Sequence, residues 1–418
     1  MEANIEIAQL LFKQNRFQET INTCHQILAT NSTSIEAIKL IAKSFLATSK
    51  IDDARLYFNK ALTLKPDDYE SIKDLGNSYQ AVGDIKNAKS YYQKSISINS
   101  SYAPALTNLG SIALQTGNKQ EALSLLLKAT ESDPTLVPAW GNLANGYYQL
   151  GKVLDAKKAC QKAIDLNPNL FNSHFLLATI LIGQKKLQEA EQPLRKTIEL
   201  NPDFFQAHSA LGGLLGELGN PQEAEIYTRK AIEIRPDLAI SHYNLGNIFK
   251  DLGKSQDAEL SYRKAIEIKP SYAEAHLNLG SILKDLGKLQ DAELATLKAI
   301  ELKPDFAEAH SNLGGILRDL EKLQEAEISY RKATELNPLC AEAHYNLGGI
   351  LKDLKKLDES IFSYKKAIEL KKDLKNAIAE MGIIITLKGN YKEGLQKINE
   401  GYGSIVFDHM NHAMKIYS

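Results

Sequence analysis

AISHYNLGNIFKDLGKSQDAELSYRKAIEIKPSY, residues 239–272, decides the fold. Moved on by 34 residues it returns as AEAHLNLGSILKDLGKLQDAELATLKAIELKPDF, residues 273–306, and it returns again from Ala307 and from Ala341. Self-similarity at such a period marks a row of stacked supersecondary units, so it sets the architecture ahead of any local feature. Proline gives the frame: Pro66, Pro134, Pro168, Pro202, Pro236, Pro270, Pro304 and Pro338 lie on one grid, with Ser100 and Lys372 in two of its other slots. With proline as position 32, twelve repeats start at residues 1, 35, 69, 103, 137, 171, 205, 239, 273, 307, 341 and 375, and a short tail follows.

Each repeat predicts two helices. In the first, His242, Leu245, Gly246 and Phe249 stand at positions 4, 7, 8 and 11, the spacing of one helix face. Position 15 is Gly83, Gly117, Gly151, Gly219, Gly253 and Gly287, suited to the left-handed residue that ends a helix. An acid at position 19 belongs in the first turn of the second helix, and Asn220-Pro221 reads as a cap followed by a helix-starting proline. The position-32 proline stops the second helix. Asp67/Glu70, Ser271/Glu274 and Asp305/Glu308 read as capping boxes for the next first helix. Glycine is unfavourable inside a helix, so Gly212, Gly246, Gly280, Gly314 and Gly348 at position 8 mark a close helix crossing. Tyr92, Tyr262, Tyr330 and Tyr364 at position 24 fill the space beside it.

These residues resemble the tetratricopeptide repeat (TPR): Leu at 7, Gly or Ala at 8, Ala at 20, an aromatic at 24, Ala at 27 and Pro at 32. The resemblance runs over residues 1–408 and implies an all-α fold, a right-handed α-α superhelical solenoid of helix pairs whose first helices line a concave groove. The ends depart from it at Thr20, Cys24 and Ser32, and at Gly394, Ile398 and Gly401, as terminal repeats that cap a core do. The expected organisation is therefore residues 1–68 as divergent N-terminal repeats forming a cap, 69–374 as the regular array, 375–408 as a degenerate last repeat and 409–418 as a tail. The tail is a cap or the stub of a further domain.

Composition narrows the function classes. Lys and Arg total 50 against 51 Asp and Glu, a net charge of −1, which gives no general pull toward nucleic acid or anionic lipid. No stretch approaches the roughly 20 apolar residues of a membrane span, and the N-terminus lacks the form of a secretory signal. Cys24, Cys160 and Cys340 are far apart, which fits a reducing, cytoplasmic setting. Nucleophile elbows, nucleotide fingerprints and clustered metal ligands are missing from the sequence, so no catalytic residue, cofactor or metal is assigned. Six histidines recur at position 4 (His174, His208, His242, His276, His310 and His344), with Trp140 in the same slot. Shared coordination needs nitrogens about 2 Å from one ion, whereas directly packed helices stand roughly 8–10 Å apart. The ladder is read as packing. His409 and His412, beside Asp408, have ligand-like spacing without a further ligand set.

The open face is the better candidate. At 100° per residue, positions 2, 5, 6, 9, 12 and 13 fall opposite the packing positions. Position 6 carries Asn108, Asn142, Asn244, Asn278, Asn312 and Asn346. Position 12 carries Lys250, Lys284, Arg318 and Lys352, and position 13 carries Asp251, Asp285, Asp319 and Asp353. An amide donates and accepts together, so a row of them suits the backbone of an extended peptide, with the charged rows reading its side chains. Two bland alternatives are that recent duplication copied the asparagines without selection for binding, and that they help neighbouring repeats to pack.

The Asn row resembles that of the repeat arm of O-linked N-acetylglucosamine transferases, where it holds substrate peptide; the catalytic half of that family is not in this sequence. Lys73, Asn77 and Asn108 resemble half of the carboxylate clamp of some tetratricopeptide domains, but Pro138 and Asn142 replace the cations of its other half. The expected function is a scaffold or adaptor that binds a protein or peptide segment. The alternative is the targeting arm of a glycosyltransferase-type enzyme whose catalytic part lies on another chain or is lost. A self-associating array is the third reading.

Overall fold

The structure is a computed structural model and describes residues 2–408 and 413–417. Its described residues form 24 helices, two to each repeat, with first helices such as Ala239–Asp251 and second helices such as Ser255–Ile268. The fold is all-α, as the repeat predicts. The chain divides into two compact units, Met1–Phe204 and Phe205–Ser418. Within each unit a first helix packs on its own second helix, and that second helix packs on the next first helix.

The period of the sequence becomes geometry at three positions. Position 15 is left-handed in all twelve repeats: seven glycines hold it, and Asn15, Ser49, Lys185, Glu321 and Lys355 hold it elsewhere with φ near 60°. The amide after it closes the helix end, as Lys254 does by donating to the Phe249 carbonyl at 2.8 Å. Position 8 is small because position 24 lies directly on it. A Cβ on Gly246 would meet the Tyr262 ring at 2.5 Å, and one on Gly314 or Gly348 would meet Tyr330 or Tyr364 at 2.8 Å. Where position 24 is Thr228 or Thr296, its hydroxyl fills the same space over Gly212 or Gly280.

The third is position 4. The Nε2 atoms of His174, His242, His276, His310 and His344 lie 2.9–3.0 Å from the carbonyl of the proline six residues earlier. Trp140 donates its indole N–H to the Pro134 carbonyl at 2.9 Å. Indole nitrogen is a donor only, so the shared geometry makes these histidines donors that fasten the turn between repeats.

Several expectations are corrected. Asp68, not Asp67, caps the helix Tyr69–Gln80, accepting from the Ser71 amide at 3.1 Å. The helices Ala273–Asp285 and Ala307–Asp319 have Tyr272 and Phe306 at the cap, with no side-chain bond, so neither capping box forms. Asn220 caps through its backbone alone, ahead of Pro221. Position 5 was placed on the open face, but Thr107 and Leu277 are buried there. First helices also touch the first helices of neighbouring repeats, so each is covered on more than one side. Ala275 and Ile282, at positions 3 and 10, are buried for the same reason.

A further row lies on the second helices. Lys254 reaches Glu225 at 3.2 Å, Lys288 reaches Glu259 at 2.8 Å, Lys322 reaches Glu293 at 2.8 Å and Lys356 reaches Glu327 at 2.7 Å, each tying one repeat to the one before. The closing segment leaves the helical pattern: Ser404–Asp408 pairs antiparallel with Ala413–Tyr417, with Ile405 opposite Ile416. His409 and His412 lie outside the described residues.

Candidate functional site

The asparagine row divides into two kinds. Asn278 donates to the Asn247 Oδ1 of the preceding repeat at 2.9 Å and to the Tyr243 hydroxyl at 3.2 Å. Asn247 Oδ1 also accepts from the buried Tyr262 hydroxyl at 2.8 Å. A related cluster stands in the other unit: Asn108 donates to Asn77 Oδ1 at 2.8 Å, and the Tyr92 hydroxyl lies 2.8 Å from that oxygen and 2.6 Å from Gln80 Oε1. Burial pushes both tyrosines above their ordinary range, which keeps their hydroxyls as neutral donors. Asn108 and Asn278 thus each bond to the preceding repeat. The side chains of Asn142, Asn244, Asn312 and Asn346 are half-buried and take no part in the hydrogen bonds of the described residues.

The difference comes from position 9 of the preceding repeat. It is Asn77 or Asn247 in the two bonded cases. Ahead of Asn142, Asn244, Asn312 and Asn346 it is Ser111, Gly213, Ser281 and Gly315. Position 9 was legible as part of the open face, but nothing in the repeat pattern marked it as the residue that engages its neighbour.

The charged rows largely satisfy each other. Lys284 pairs with Asp319 of the next repeat at 3.3 Å, and Arg318 with Asp353 at 2.7 Å. Lys352 pairs with Glu380 at 2.6 Å. Lys250, Asp251 and Asp285 are exposed and make no ion pair among the described residues.

Part of the predicted set comes together. Asn244, Asn278, Lys250 and Asp251 line one recess of about 640 Å³ on the first-helix face of repeats 7–10. Its wall adds Asn247 and Tyr243, its floor adds Gly213, Gly216, Ile248 and Leu277, and Glu217, Glu274 and Glu308 stand around it. A second recess, of about 540 Å³, lies in the other unit, where Asn142 and Asn145 meet a more apolar lining that includes Tyr148, Phe175 and Leu176. Asn312, Asn346 and the paired charges are outside both recesses.

The half-clamp is engaged internally. Lys73 Nζ lies 2.5 Å from Asp74 Oδ1, Asn77 Nδ2 donates to the same oxygen at 3.2 Å, and Lys43 is 3.5 Å from Oδ2. Asp74, in the position-6 slot, thus occupies the basic groups a ligand carboxylate would need. Nearby, Lys39 is buried against Asp68 at 3.3 Å and Glu70 at 2.6 Å, and its hydrogen bond holds the Glu70 carboxyl below its ordinary range.

Among the described residues, no group of three or more His, Cys, Asp or Glu could hold a metal ion, and no helix is long and apolar enough to cross a membrane. Burial pushes the Cys24 thiol up to about 11 and the Cys160 thiol up to about 12, so neither supplies a thiolate at neutral pH.

Family models described as tetratricopeptide repeat match residues 79–146, 137–170, 159–192, 205–238, 273–306, 307–340 and 341–374, and one described as TPR repeat matches 246–287. The chain belongs to the tetratricopeptide repeat family. Among solved structures, this tetratricopeptide array is similar to a chain of the APC/C hetero-tetramer Cut9-Hcn1, with 14% identity, 94% of this chain and 92% of that chain covered, and a TM-score of 0.51. That likeness shows the fold. Shorter matches are Pseudomonas aeruginosa pilF, with 20% identity, 46% and 88% covered and a TM-score of 0.43, and YrrB, described as a TPR protein with an unusual peptide-binding site, with 24% identity, 44% and 95% covered and a TM-score of 0.40. No curated protein sequence matches the chain. A tetratricopeptide array is the architecture of a protein-interaction scaffold.

Proposed function

We propose that the chain is an adaptor that holds an extended segment of a partner protein along the first-helix face of its C-terminal unit. One observation carries the reading: Asn244, Asn312 and Asn346 offer amides that the fold does not use, and Asn244 does so inside a recess with Asn278, Lys250 and Asp251. Each free amide can accept from one backbone N–H and donate to one carbonyl, so a row of them suits a strand-like ligand largely independent of its sequence. Asn278 contributes by fixing the wall of the recess. Lys284, Arg318 and Lys352 can meet a ligand only by exchanging it for Asp319, Asp353 or Glu380.

Affinity capture from the native cell tests this, with the wild type beside the triple variant Asn244→Ala, Asn312→Ala and Asn346→Ala. Asn278 is left intact, because its loss would disturb the fold. Capture should fall strongly while helicity and melting stay nearly unchanged. Undiminished capture by the triple variant would remove the amides from the site. Glycosyl transfer that appears only when a second polypeptide is added would instead favour the targeting-arm reading.

A further inference from the structure

The charged rows of the C-terminal unit pair across repeats at two steps and not at the two steps before them. The cation at position 12 of a repeat serves the acid at position 13 of the next, as in Lys284 with Asp319 and Arg318 with Asp353. At position 12 of repeat 7 the residue is Gly216, so Asp251 has no cation from the preceding repeat. Glu217, one residue on, also makes no ion pair among the described residues. Lys250 and Asp285 stand in the paired relation but are not in contact, and Lys250 is the single cation lining the recess against Glu217, Asp251, Glu274 and Glu308. Glu274 is itself 3.9 Å from Lys303.

The glycine is not a packing necessity. A Cβ on Gly216 would lie 3.7 Å from Ile248, an ordinary contact, and its φ is not left-handed. Glycine weakens a helix interior, and at this site it adds no side chain to a recess that Glu217 and Asp251 also line. Beside it, a Cβ on Gly213 would be 3.1 Å from Asn244 Nδ2, which places a free amide over the same space. Ile240, Leu277 and Phe306 line the remainder.

We propose that this recess takes an arginine or lysine side chain of the partner segment, which fills between Glu217 and Asp251 the cation slot that Gly216 leaves open. The proposal rests on the groove reading above and adds the class of residue recognised. The chain supplies its own precedent: Arg318 Nη2 sits 2.7 Å from Asp353 Oδ2 at the equivalent positions three repeats later. Ile240 and Phe306 would cover the aliphatic stem, as long cationic side chains bury their methylenes on apolar surface, and Asn244 would hold the backbone.

The test uses the full chain and three fluorescein-labelled peptides of glycine, serine and leucine, identical except for a central arginine, citrulline or glutamate. By fluorescence anisotropy the arginine peptide should bind at least about tenfold more tightly than the citrulline peptide, with an advantage that shrinks as salt rises. Gly216→Lys, whose new ammonium can reach Asp251, should reduce the arginine peptide to the citrulline level, and so should the pair Glu217→Gln and Asp251→Asn. Gly216→Ala, which adds no charge, should keep the preference, as should Asp353→Asn, which removes an acid already paired. Circular dichroism confirms that each variant is folded. Equal binding of arginine and citrulline peptides, or an unchanged preference in Gly216→Lys, overturns the cation slot. If Asn244→Ala then weakens all three peptides alike, the groove reading survives without it. If no peptide binds, the cation slot is overturned, and the groove reading stands or falls on the capture experiment.

Discussion

Asn278 and Asn312 occupy the same slot in consecutive repeats, inside almost the same words, HLNLGSIL and HSNLGGIL. Asn278 closes a relay with Asn247 and Tyr262, whereas the repeat before Asn312 has Ser281 in the place of Asn247, and Asn312 forms no such bond among the described residues. A residue's role in an array is therefore set by its neighbour in the next copy as much as by its place in its own. What repeats is the position. What decides function is the register between positions.

The strongest way to break the comparison is to move the tyrosine. Gly246→Ala would put a Cβ 2.5 Å from Cε1 and 2.6 Å from Cδ1 of Tyr262. The ring is held on a helix and capped by Asn247, so it yields only by displacing that helix. Overpacking of this kind costs about 1–3 kcal/mol, and here about 2–3 is expected, read as a lower urea midpoint at unchanged slope. The relay to Asn278 should be lost with it.

Removing the acceptor is the next largest perturbation. Asn247→Ala leaves the Tyr262 hydroxyl and the Asn278 amide without their shared partner, and an orphaned buried group costs about 1–3 kcal/mol. Asn312→Ala removes an amide that bonds nothing in the fold and should stay within about 0.5 kcal/mol. Equal losses from the two variants in urea melts would erase the distinction between fold-bound and free asparagines.

That distinction also marks how far the sequence could be read. The helix pairs, the left-handed position 15 and the crossing at position 8 follow from local rules, because Gly253, Gly246 and Tyr262 act within one repeat. Asn247, Gly216 and the donor role of His242 act across repeats, and a single-repeat helical wheel carries no information about what stands opposite. It placed position 5 in solvent, although Leu277 is buried against a neighbouring first helix. It also treated the lysine, arginine and aspartate rows as free charge, although Arg318 and Asp353 neutralise each other. The absent cation at Gly216 was visible in the sequence, but only once the pairing of position 12 with position 13 of the next repeat is known.

The outer row offers a contrast in pH. Glu259 is held below its ordinary value of 4.5 by hydrogen bonds from Lys288 and Arg263, which outweigh its burial. A carboxylate with a depressed folded pKa contributes stability above its unfolded value, and that contribution disappears as pH falls through the folded value. Lys288→Met should thus lose up to about 1 kcal/mol at pH 7, and the gap to the wild type should close as pH drops below 4.5. A gap that persists at pH 3 in urea melts would mean that Lys288 acts through its stem rather than its charge.

The smallest effect comes from one slot filled in two ways. Gly287 and Glu321 both end a first helix in the left-handed region, at φ 73° and 61°. Glycine adopts that conformation without steric penalty, whereas a side chain there crowds its own backbone by roughly 1–2 kcal/mol. Glu321→Gly relieves the crowding but also loosens the unfolded chain, which returns about half of the gain. A net stabilisation of about 0.5 kcal/mol is expected, seen as a small rise in urea midpoint. The carboxylate makes no ion pair among the described residues, so no lost contact offsets it. A destabilised variant would mean that Glu321 has a partner across the repeat boundary, and would move position 15 from the local class into the register-dependent one.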